Sequence, residues 1–114
     1  MIERKVQTAI HHRIAIHNGV VYIGGLVASD KSKDMAGQTQ EICDKLDELL
    51  AEAGTSKDNI LQAMIYSSDF SQKDALNKVW TDWIAPEHLP TRAFIGGADL
   101  SEGILVEIVV TAAL

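Results

Sequence analysis

The chain has 114 residues, a hydrophobic fraction of 46%, a formal net charge of -6 and a pI of about 5.0. That length and composition fit one domain with an ordinary core and exclude a disordered chain, and the acidic balance argues against non-specific binding of DNA or RNA, which rests on Lys and Arg neutralising phosphates. A single cysteine, Cys43, allows no internal disulfide and points to a reducing, cytoplasmic setting; the charged start Glu3-Arg4-Lys5 has no signal-peptide core behind it, and no run reaches the ~18 apolar residues of a membrane span.

Residues 2–8 read as a weak first strand and 11–17 as a second. Asn18-Gly19 then signals a two-residue hairpin, because both residues tolerate positive φ, and 20–23 form the return strand, closed by Gly24-Gly25. After a polar connection over 26–33, residues 34–53 carry the clearest helical spacing: Met35, Thr39, Ile42, Cys43, Leu46, Leu49, Leu50 and Ala53 form a stripe, with Gln38, Glu41, Asp44 and Lys45 outside it. Gly54 is its stop. Residues 60–67 read as a strand apolar on both faces, hence central and covered on both sides. Ser71 is the expected N-cap of a second helix, whose stripe is Ala75, Leu76, Val79, Trp80, Trp83 and Ile84 and which Pro86 ends. Strands follow over 92–97 and 104–113, separated by a turn at 99–103.

The order βββαβαββ predicts an α+β domain spanning 1–114, with two helices on one face of one mixed sheet. No helix remains for the other face, although its strands are apolar, so self-association is the simplest way to cover it.

Two residues in the last quarter carry chemical promise. Glu107 interrupts the apolar run Ile104-Leu105-Val106-Glu107-Ile108-Val109-Val110, where a carboxylate is costly to bury without compensation and is a candidate acid or base. Arg92, in Pro90-Thr91-Arg92-Ala93-Phe94, can hold a carboxylate bidentately. On composition alone, Arg92 reads as a surface ion-pair partner and Glu107 as equally a structural carboxylate or a catalytic one. Asn77 reads as a solvated helix residue. His11, His12, His17 and His88 lack the spacing of a zinc site, and the neighbouring His11 and His12 are expected on opposite faces of a strand.

The strand Val20-Val21-Tyr22-Ile23-Gly24-Gly25, the helix entry Gln38-Thr39, Ala53-Gly54, Asn77, Pro90-Thr91-Arg92 and Val106-Glu107-Ile108 together resemble the reactive intermediate deaminase (Rid, YjgF-type) family over nearly the whole chain. The Arg92-to-Glu107 spacing equals the family's own. The resemblance implies a chorismate-mutase-like homotrimer with active sites in clefts between subunits. It also implies hydrolysis of enamines and imines, such as 2-aminoacrylate, to 2-oxo acids and ammonia, without a metal or organic cofactor. By the same resemblance, Arg92 binds the substrate carboxylate and Glu107 handles the water. Gly25 and Asn77 fall on family site positions, and His11 falls where a tyrosine is common. Gly24 replaces a serine and Phe94 a cysteine; the phenyl ring is expected to narrow the pocket and favour small or apolar imino acids. Two alternatives accompany this reading: a non-catalytic binder of small carboxylates, and a ribonuclease, which the acidic charge disfavours.

Overall fold

Asn18 and Gly19 have φ values of 51° and 76° and make the tight turn between strands β2 (His12–His17) and β3 (Val20–Leu26). That hairpin extends on one side to β1 (Glu3–Gln7), and on the other to β6 (Val106–Ala113), β4 (Ile60–Ser67) and β5 (Thr91–Ile95). This is a computed structural model, and it describes residues 1–114. The six strands form a single sheet in the order β1-β2-β3-β6-β4-β5. Only the β4–β5 pair is parallel; it is joined by the crossover through α2 (Lys73–Trp83). The remaining helix, α1 (Met35–Ala53), links β3 to β4.

Alternation along the strands sorts the sheet into two faces. Ile14, Ile16, Val21, Ile23, Ala63, Ile65, Ile108 and Val110 are buried against the helices, where Ile42, Leu46, Leu50, Leu76 and Trp80 complete the core. Cys43 lies in that core, and burial pushes its thiol up to about 12. Trp83 joins the helices: its Nε1–H donates to both carboxylate oxygens of Asp47, at 3.2 and 3.1 Å. The opposite face carries Ala15, Tyr22, Met64, Tyr66, Ala93, Glu107, Val109 and Thr111 and has no helix over it. Tyr22 is 51% exposed there. β4 is therefore flanked by strands on both sides but covered on one face only.

Three local expectations are corrected. Gln38 is not outside the α1 stripe but fully buried. Its Nε2 donates to the carbonyls of Lys33 (3.0 Å) and Gly103 (2.9 Å), and its Oε1 accepts from the Leu105 N–H (2.9 Å), so every polar atom of the amide is used. Ser71 does not cap α2. Asp69 instead takes both Ser71 donors, N–H at 3.0 Å and Oγ–H at 2.7 Å, and holds a 3-10 turn over Phe70–Gln72 from which α2 starts at Lys73. His11 precedes β2 rather than lying in it: Thr8 and His11 close a turn in which the Thr8 N–H donates to the His11 carbonyl at 2.7 Å. No helix is long and apolar enough to cross a membrane.

Candidate functional site

β3 does not run evenly alongside β6. Ile23 pairs with Val110 and Leu26 with Ile108, so Gly24 and Gly25 together face the single residue Val109. This bulge brings Gly25 beside Glu107 on the uncovered face. A Cβ on Gly25 would stand 3.0 Å from the Glu107 Cδ and would overlap Oε2, whereas a Cβ on Gly24 would meet nothing within 4 Å. The carboxylate thus lies across Gly25 and borders open space above Gly24. Glu107 forms no salt bridge within the protomer.

Arg92 belongs to a different surface. Parallel pairing sets Ala63 beside Arg92 and Ile65 beside Phe94, and both partners point into the core; antiparallel pairing sets Glu107 beside Tyr66, on the uncovered side. Arg92 and Glu107 therefore project from opposite faces of the same sheet. Arg92 lines an open cavity of about 310 Å³ with Asn77, Trp80, Leu89 and Pro90. Its guanidinium has no salt bridge, and burial lowers its pKa from the ordinary value. On the same wall the Asn77 Oδ1 is buried without a hydrogen-bond partner. An unmet buried acceptor costs about 1–3 kcal/mol.

The structure thus gathers the expected site residues into two groups, Glu107 with Gly25 and Arg92 with Asn77. His11 joins neither; it lines a shallow cleft with Gln7, Thr8 and Ile10. Phe94 packs edge-on against Phe70, with ring centroids 5.5 Å apart, and the Lys73 ammonium lies 5.5 Å from its ring centre. No three His, Cys, Asp or Glu side chains converge as a metal-ligand set. Two residues that were not expected at the site border it. Gln38 pins the turn that leads into β6, and Arg13 lines a second cavity together with Gly25.

The family profile described as "Endoribonuclease L-PSP" matches residues 3–114. A RutC family protein from Haemophilus ducreyi is 38% identical over 114 residues, covering 100% of this chain and 97% of the relative. The crystal structure of an uncharacterized protein from Pseudomonas aeruginosa superposes with a TM-score of 0.94 at 34% identity, covering 99% of this chain and 98% of that one. A member of the YjgF protein family from Neisseria meningitidis does so with a TM-score of 0.92 at 30% identity, covering 99% and 94%.

Proposed function

Because the chain belongs to the YjgF/Rid family, which includes the RutC and endoribonuclease L-PSP proteins, we propose that it hydrolyses small enamines and imines to 2-oxo acids and ammonia, at sites shared between protomers of a homotrimer. Arg92 of one protomer holds the substrate carboxylate. Glu107 and Gly25 of the next supply the water-handling group and the floor beneath the reacting carbon. The carrying observation is the Glu107 carboxylate laid over Gly25 on a sheet face that the protomer leaves uncovered.

The chemistry needed is modest. Glu107 takes a proton from water as the oxygen adds to the C=N carbon and passes it to nitrogen; the hydroxyl proton of the resulting carbinolamine follows the same route as the C–N bond breaks, so that C=O forms and ammonia leaves. Free imines already hydrolyse in water, so orientation and one proton-transfer group are enough to accelerate the reaction. Arg92 suits the first contact because its guanidinium is half-buried and has no protein carboxylate to compete with the substrate's. An uncovered face bearing Tyr22, Met64, Tyr66 and Val109 is the surface a second protomer would bury.

The test is a coupled assay of ammonia and 2-oxo acid release from freshly generated 2-aminoacrylate. Arg92→Ala and Glu107→Gln should each lower the catalysed rate by about 10²-fold or more, the usual scale for lost positioning or acid–base groups. Release by either variant at the wild-type rate overturns the assignment. Binding without turnover is the second reading, favoured by an Arg92–Asn77 cavity that is formed within a single protomer. It predicts that 2-oxo acids bind in an Arg92-dependent manner that ignores Glu107.

A further inference from the structure

Arg13 stands on the same face as Glu107, in the same protomer, one strand nearer to it than Arg4, which pairs with Ala15. Ile14 pairs with Ile23, so one step along β2 alternation sets Arg13 beside Gly24 on the face away from Ile14, at the end of the sheet where Arg13 also borders Lys45 and Glu48 of α1. The order across the sheet is then Arg13 on β2, the two glycines on β3 and Glu107 on β6. Neighbouring strands are about 4.8 Å apart. Arg13 and Glu107 are thus two strands apart, about 10 Å across the sheet, with Glu107 set two residues along β6 from Val109, which faces the glycines; the floor between them bears no side chains. An anionic group at the Arg13 end and a reacting carbon at the Glu107 end can share this floor.

The charge pattern favours an anion at the Arg13 end. Arg13, Lys31 and Lys45 line a cavity of about 300 Å³ beside Gly25 that no carboxylate lines, in a chain whose net charge is -6; the adjoining cavity, which shares Arg13, Ser29 and Lys45, has the single carboxylate Glu48. Lys45 is already committed, donating to the Val27 carbonyl and the Ser29 hydroxyl, each at 2.8 Å, and pairing with Glu41 at 3.2 Å. Arg13 and Lys31 take no salt bridge at all. The neighbouring backbone is unusual as well: on β1, Val6 stands across from Arg13, between the pairs Lys5–Ile14 and Gln7–His12, with a φ of 57°, a strained value for a β-branched residue.

We propose that Arg13 is a specificity residue that binds the second carboxylate of a dicarboxylic 2-imino or 2-oxo acid whose reacting carbon lies over the glycine floor beside Glu107. This rests on the deaminase reading above and narrows its substrate class to acidic imino acids. It departs from the preference for apolar side chains expected from Phe94, whose ring is engaged with Phe70 and Lys73. The hydrolysis is unchanged: water adds across C=N, the C=O bond forms and ammonia departs.

Calorimetric titration of the intact protein with a five-carbon 2-oxo dicarboxylate, and with a 2-oxo monocarboxylate of equal length, tests the assignment. The wild type should bind the dicarboxylate at least about tenfold more tightly, the scale of one charge-assisted bidentate contact, and Arg13→Gln should bring the two affinities within about twofold. Equal affinities in the wild type, no binding of either acid, or an advantage that survives Arg13→Gln each overturn it. Soaking wild-type crystals with the dicarboxylate answers without a variant: its second carboxylate on the Arg13 guanidinium supports the proposal, and any other placement overturns it. Ammonia release from a neutral imine reports separately on the underlying reading. Arg13-dependent dicarboxylate binding without imine turnover would remove the deaminase and leave the subsite; turnover without a dicarboxylate advantage would do the reverse.

Discussion

Gly25 and Glu107 occupy one shared volume: the side chain that Gly25 lacks would begin 3.0 Å from the Cδ of Glu107 and overlap Oε2. The glycine is what allows the carboxylate to lie flat against the β3 bulge. Gly25→Ala displaces the flexible end of a side chain rather than the backbone, so the fold should survive with a loss below about 1 kcal/mol, within the range of tolerated substitutions. Turnover should fall by about 10²-fold, the scale of a misplacement of about 1 Å at a reacting centre. Thermal melts and imine hydrolysis measured on one preparation check both halves, and wild-type activity in Gly25→Ala would show that this contact is incidental.

Gln38 connects the start of α1 to the turn before Glu107. Gln38→Met keeps the length of the side chain but strands the Gly103 carbonyl and the Leu105 N–H, which the amide now satisfies at 2.9 Å each. The part-buried Leu105 N–H left unpaired costs about 1–3 kcal/mol, whereas Gly103 is exposed and its carbonyl can turn to water. Urea unfolding should show a loss of stability of that order, seen as a lower midpoint with an unchanged slope. A variant as stable as the wild type would mean that water replaces the amide.

Glu41 gives the fold a predictable acid limit. The backbone N–H of Ser29 is the main force lowering its carboxyl from 4.5 to about 2, with the Asp30 N–H, Lys45 and Lys33 acting in the same direction against desolvation. A carboxyl depressed in the folded state stabilises it fully above the unfolded value near 4.5, and that contribution is lost as pH falls from there towards 2. Glu41→Gln should therefore melt lower at pH 7 and show a shallower loss of stability below pH ~4.5. Some acid slope should persist, because Asp30 and Asp69, held by Ser32 and Ser71, are also lowered. Parallel melting curves for the two proteins across that window would contradict the assignment.

Much of this architecture could be read along the chain because its cues are local. Asn18-Gly19, the α1 stripe and the lone acid of β6 each depend on a few neighbouring residues, and all stand where the pattern put them. Gln38 was hidden by its polarity: it sits one turn from Met35 and Ile42 on the buried side, but an amide counts as surface until its partners, Gly103 and Leu105, are known. Ser71 is held by Asp69, two residues upstream, and α2 starts from a 3-10 turn with no side-chain cap, a competition among hydrogen bonds that spacing does not reveal. The opposed directions of Arg92 and Glu107 come from the registers of β5 and β6 on β4, and each register is a tertiary choice that flips every side chain if it slips by one residue.

That opposition gives the sharpest test. If each active site takes Arg92 from one protomer and Glu107 from the next, inactive Arg92→Ala and inactive Glu107→Gln protomers should complement one another. Co-refolding the two variants and assaying 2-aminoacrylate hydrolysis should restore a substantial fraction of wild-type activity, carried by sites that drew an intact residue from each parent. Mixed assemblies, verified by mass spectrometry, that remain as inactive as either parent would contradict a site shared between protomers.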